Sequence, residues 1–244
     1  MDPHTTVSTI AGPLGDMGAA FYFSPESLAR GEVLGLDVVA LYAAGRAADL
    51  DPMTADATFH FFKPGMIGAI VERGRAGGNP KAVIEAHHGA ADDYAEAHFN
   101  AVDPATLTAF ADAVSALAHT VPVGSWPLFD GYRAAPVAAT PAAKAYRAVI
   151  LLRELRGGVH TDAVKAEGLD APAACQLDRP GMDFFRMHGF SEEDLVEPTA
   201  ELTAKKAAAE EATNARMAEL FATLSPAQRQ AIVDGTKALA AAVA

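Results

Sequence analysis

Ser24-Pro25, Asp103-Pro104, Thr140-Pro141 and Ser225-Pro226 each set a small polar residue directly before a proline. Each pair joins an N-cap side chain to the residue best tolerated in the first helical turn, where an N–H would lack an intrahelical partner anyway. Gln228 completes a capping box with Ser225. Helices are therefore expected to start near residues 25, 104, 141 and 226, with a weaker start after Ser191, where Asp194 is the box partner. Apolar periodicity adds helices over 36–48, from Pro64 along "KPGMIGAIVERG", and over 81–100. It adds two more at the C-terminal end, over 205–221 and 226–244. These last two, joined by "TLSP", predict a long antiparallel hairpin.

The predicted fold class is mainly α with a minor β element. Abundant alanine and only 7% aromatic residues favour closely packed helices. "ATFHFF" (57–62), with β-branched and aromatic residues, reads as the one strand. The stretch "VPVGSWPLFDGYRAAPVAATP" (121–141) is rich in Pro and Gly and reads as a linker between an N-terminal helical half, 1–120, and a C-terminal half, 142–244.

Charge narrows the function classes. There are 19 Lys and Arg against 31 Asp and Glu, a net charge of −12. Phosphate backbones call for clustered cations. The nearest approach to a basic run, Lys205-Lys206, is diluted by Glu201, Glu210 and Glu211. This argues against DNA as the main partner. A single cysteine, Cys175, permits no intrachain disulfide and fits a reducing cytosol; it reads as a small buried residue. No basic segment followed by an apolar run opens the chain, and no window approaches the roughly 20 apolar residues of a membrane span. The expected location is cytoplasmic.

"LLRELRGGVH" (151–160) asks why an apolar helix carries two arginines before a double glycine and a histidine. Ala148, Leu151, Leu152 and Leu155 form one stripe; Tyr146, Val149, Ile150 and Arg153 form an adjoining one. Two readings compete. In one, Arg153 and Arg156 complement the helix dipole, Glu154 is solvated, and Gly157 ends the helix. In the other, Gly157-Gly158 makes a tight turn, a short helix starts at Thr161, and "DAPAACQLD" forms a third. His160 then stands beside Arg153 and Arg156, a set suited to a carboxylate or phosphate.

"YFSPE" (22–26), "LYAAGRAADL" (41–50), "TFHFFKP" (58–64) and "LLRELRGGVHTDAVKAEGLD" (151–170), in that order, resemble the SalK-type, MarR-related winged-helix proteins of high-GC bacteria. The C-terminal "ELTAKKAAAEEATNARMAELF" is similar to the end of MarR regulators, where a helix pair supports dimerisation. The resemblance implies a winged-helix-derived fold, a homodimer held through 203–243, and a degenerate winged-helix region in 142–244. The chain departs from the pattern after "SEEDL" (191–195), where a longer helix and a wing strand are missing or shortened. The candidate recognition segment, "APAACQLDRP", has one arginine and no Lys, Asn or Ser to read bases.

Other candidate residues follow from local context. His60 lies among Phe59, Phe61 and Phe62. It is either a core histidine held by a backbone carbonyl or one polar group in an aromatic pocket wall; a haem ligand is a third option. Arg46 stands three residues before Asp49, the spacing of a surface ion pair. Tyr22 and Trp126 are candidate aromatic walls. His87 and His88, near Asp92 and Glu96, read as a solvated polar face without a metal-ligand motif. There is no GxGxxG, Walker A loop or GxSxG elbow. The reading that gathers these is a small-molecule-binding protein that has lost DNA binding and serves specialised metabolism. Tyr22, His60 and Phe62 would meet the apolar body of the ligand; Arg46, Arg153, Arg156 and His160 would meet its anionic end. The alternatives are a ligand-responsive transcriptional regulator, and an enzyme or haem protein using His60 or His160.

Overall fold

The cap-and-proline pairs start helices where they are expected to. Ser24, Asp103, Thr140 and Ser225 each accept a hydrogen bond from the backbone N–H three residues on. The computed structural model describes residues 1–76, 79–178 and 181–243. Its helices are α1 (Pro3–Ala20), α2 (Pro25–Val33), α3 (Val38–Ala47), α4 (Pro52–Thr58), α5 (Met66–Ala76), α6 (Pro80–Phe99), α7 (Pro104–Thr120), α8 (Pro127–Ala134), α9 (Pro141–Ala166), α10 (Ala171–Asp178), α11 (Met182–Met187), α12 (Ala200–Phe221) and α13 (Pro226–Ala242). Single 3-10 turns form at Phe21–Phe23 and Glu192–Asp194. The start expected after Ser191 is therefore only one such turn, although its capping box with Asp194 is made. No described helix is long and apolar enough to cross a membrane.

The expected β element is not found: among the described residues there is no strand. Asp51 caps α4 by accepting from Met53 N and Thr54 N, with Pro52 in the first turn, so α4 takes Ala57 and Thr58. Phe59 to Phe62 then close a turn through Phe62 N to Phe59 O at 3.0 Å. An isolated strand would have had no ladder partner for its backbone groups, and the Asp51-Pro52 cap wins.

The helix α9 is the axis of the fold. Its two apolar stripes adjoin, so the first half is buried almost all round, as expected of a helix at the centre of a core. It packs against α1, α6, α7, α8 and α12. With 26 residues it spans about 39 Å. The expected break at Gly157-Gly158 does not occur, nor does a new helix begin at Thr161; the helix runs on to Ala166. Gly158 serves close approach instead of a turn. A Cβ there would lie 2.5 Å from Trp126 Cγ, and the indole in turn donates Nε1–H to Asp162 Oδ2 at 2.8 Å.

Residues 121–141 contain α8, whose Leu128, Phe129 and Tyr132 are buried. The largest core cluster draws on both sides of this segment, from Val7 to Leu239. At the C-terminal end both expected helices form; both pack on α1, and beyond it α12 packs on α9 whereas α13 packs on α7. Met217, Leu220, Phe221, Ile232, Val233 and Leu239, large apolar residues of the 203–243 segment expected to hold a homodimer, are buried within the one chain.

The two adjacent glycines of α9 should respond oppositely to alanine. Gly157 has nothing within 4 Å of a new methyl, so Gly157→Ala should stabilise by about 0.5–1 kcal/mol. Gly158→Ala should destabilise by about 1–3 kcal/mol through overpacking on Trp126. Urea denaturation of both variants checks this; stabilisation by both would mean that Trp126 does not fill the space beside Gly158, and destabilisation by Gly157→Ala would mean that the helix breaks there.

Candidate functional site

Glu154 is 3% exposed, in the middle of α9, and is not solvated. Arg46, on α3, places Nη2 2.9 Å from Glu154 Oε1 and 2.7 Å from Oε2. The surface pair expected between Arg46 and Asp49 is replaced by this buried one, across 108 positions of sequence. Arg153 donates from Nη1 to Glu154 Oε1 and to the Tyr22 hydroxyl, both at 3.2 Å. Tyr22 donates its own proton to Glu154 Oε1 at 3.2 Å. Burial alone would raise the Glu154 pKa; the charges of Arg46 and Arg153 outweigh it and hold the carboxyl below its ordinary range.

Aromatic rings enclose this cluster. The Arg46 guanidinium lies 4.7 Å from the Tyr42 ring centre, 4.6 Å from Phe59 and 5.4 Å from Tyr22. Behind them His87 Nε2 meets the Tyr132 hydroxyl at 2.5 Å. His87 packs against α3 because α3 and α6 cross at Gly45, where a Cβ would lie 2.4 Å from His87 Cβ. His87 and His88 are 1% and 6% exposed, which corrects the solvated polar face expected of them. Burial pushes His87 far below the usual imidazole range. Burial, then the charge of Arg147, lowers His88 to about 4. Both are neutral near pH 7.

The residues singled out from sequence thus fall into separate places. Tyr22, Arg46 and Arg153 meet around Glu154. Phe62 borders them, its ring 5.8 Å from Phe59 and 6.2 Å from Tyr42. His60 stands apart, half-buried, with Nε2 2.9 Å from the Leu169 carbonyl. His160 and Arg156, also on α9, form a second cluster with residues of α12, because seven residues of continuous α9 separate His160 from Arg153 by about 10 Å. His160 Nδ1 lies 2.9 Å from Thr213 Oγ1, its ring stacks on Phe61, and Arg156 pairs with Glu210. Sequence reasoning missed Glu154, Tyr42, His87 and Tyr132. A usable signal existed: Arg46 is the one charge in α3, and Glu154 is the one acidic residue between 141 and 160 of α9. Among the described residues no group of three or more His, Cys, Asp or Glu is placed to hold a metal ion.

The chain belongs to a helix-turn-helix family, whose model matches residues 8–244 and so takes in every residue of the Glu154 cluster. No curated protein and no solved structure matches the sequence.

Two outcomes follow from this geometry. Glu154→Gln strands a buried guanidinium and should cost about 3–5 kcal/mol, whereas the double variant Arg46→Met/Glu154→Leu should recover most of that loss. Equal destabilisation by both in chemical denaturation would remove the pair from its central role. The second outcome concerns pH. The folded His88 pKa lies below the ordinary 6.5, so the unfolded chain binds more protons between 6.5 and about 4. Stability should therefore fall as pH drops through that window, by about 3 kcal/mol once complete. His88→Phe should flatten this slope in melts taken from pH 7 to pH 4; an unchanged slope would assign it to His87 or other groups.

Proposed function

We propose that this protein binds a small anionic organic molecule at the Arg46–Glu154 cluster and has lost sequence-specific DNA binding. The observation that carries this reading is the charge count inside the aromatic ring: two arginines, Arg46 and Arg153, share the single carboxylate of Glu154. With His87 and His88 neutral, the cluster keeps a surplus positive charge next to Tyr22, Tyr42 and Phe59. Buried charge is costly without a partner, and a largely aromatic lining with few polar groups is the make-up of a small-molecule site. The resemblance to SalK-type, MarR-related winged-helix proteins agrees with an effector-binding role. We place its function in specialised metabolism on that resemblance alone.

The loss of DNA reading is supported by α10, the candidate recognition helix. Ala171, Ala173, Ala174 and Cys175 are buried, and Gln176 spends both amide atoms on the Val196 backbone at 3.0 Å each. Arg179, the arginine of that segment, lies outside the described residues. Membership of a helix-turn-helix family favours the second reading, a ligand-responsive regulator.

Melting curves with formate, acetate, benzoate and phosphate test the first reading, with formamide, acetamide and benzamide as neutral controls. At about 100 times its Kd a bound acid should add roughly 2.7 kcal/mol, several degrees in Tm, while the matching amide adds nothing. No response to any acid would overturn ligand binding at this cluster. Nanomolar, salt-dependent binding of a specific duplex in a mobility-shift titration would establish the regulator instead.

A further inference from the structure

Arg46 meets Glu154 through one nitrogen of its guanidinium, Nη2. Its Nε is buried without a hydrogen-bond partner, and so is Nδ1 of His88. The two residues are 9% and 6% exposed, and both line one small cavity of about 30 Å³ between α3, α6 and α8. Ile84, Tyr132, Gly45 and Gly131 complete most of its wall. Buried polar atoms in native proteins nearly always find partners, so two unpartnered atoms on residues that line one cavity are informative.

We infer that this cavity is the seat of a carboxylate, one oxygen accepting from Arg46 Nε and the other from His88 Nδ1. The inference rests on the anion-binding reading above and gives that site its head group. Volume agrees: at about 10–15 Å³ per water-sized occupant, the cavity takes two such positions, matching the two oxygens of a carboxylate. Charge agrees, because Arg46 and Arg153 exceed Glu154. Protonation agrees as well. Neutral His88 carries one ring proton, and with it on Nδ1 the imidazole is a donor towards the cavity. One wall group opposes an anion: Asp49, exposed at the rim. It limits the occupant to a monoanion and weakens its binding. The ligand class is therefore a short monocarboxylate, with formate as the smallest probe.

Calorimetric and melting titrations with sodium formate, against sodium chloride at equal ionic strength, test this on the whole chain. His88→Phe keeps the ring that packs edge-on against Tyr132 at 5.1 Å and removes the nitrogen. It should weaken formate binding at least tenfold. Gly131→Leu has open space at its Cβ and a better helix former in α8. It should fill the cavity and abolish the formate response while the free protein melts no lower than wild type. Asp49→Asn should tighten binding several-fold. A wild-type protein that responds to formate, with His88→Phe and Gly131→Leu responding equally, overturns the cavity as the seat and leaves anion binding elsewhere in the cluster. A wild-type protein indifferent to formate beyond chloride, but stabilised by benzoate, overturns the inference alone. Indifference to every acid overturns both, with the cavity then holding only water.

Discussion

One buried carboxylate organises the middle of this molecule. Glu154 sits on the helix that five others pack against, and a charge in that position is tolerated only if its lone pairs are answered. The answers come from Tyr22 after α1, from Arg46 on α3 and from its neighbour Arg153. The N-terminal helices are thereby fixed against the axis at one point of chemical specificity within an otherwise apolar interface. Alanines and valines would allow α3 to slide on its neighbours. The ion pair does not, since any other register buries Arg46 without Glu154.

Much of the fold is legible in the sequence because helix starts are local events. A capping side chain and a following proline act within four residues, so Ser24, Asp103, Thr140 and Ser225 announce their helices wherever the chain later goes. The same signal stands at Asp51-Pro52, where it overrides the β-like composition of "ATFHFF". Helix ends are less local. Gly157 and Gly158 carry the mark of a terminator, yet α9 runs on past them, with Trp126, some thirty positions away, resting in the space that Gly158 leaves.

The site is less legible than the fold for the same reason. Tyr22, Arg46 and Arg153 stand out because they are polar groups in apolar surroundings, but their common partner lies 132 positions from Tyr22 and 108 from Arg46. Spacing offers Arg46 the nearer Asp49, and spacing puts His87 beside Asp92 and Glu96 on a helix face that looks wet. Only the crossing of α3 and α6 turns that histidine inward. His160 and Arg156 illustrate the converse: they look like neighbours of Arg153 across a turn, and the unbroken helix carries them to Glu210 and Thr213 instead.

The turn at Phe59–Phe62 fastens several parts of the molecule at once. Phe59 lies over Arg46 on α3, His60 bonds the Leu169 carbonyl beyond α9, Phe61 stacks on His160, and Phe62 packs 4.2 Å from the His188 ring beyond α11. Consecutive residues of an irregular segment are thus committed to different elements. A loop held by one contact frays alone; here no single residue can leave without loosening its neighbours' hold on the rest. Local opening of this segment becomes a shared, sub-global event, in which the lining of the arginine cluster, the end of α9 and the region after α11 exchange with solvent together.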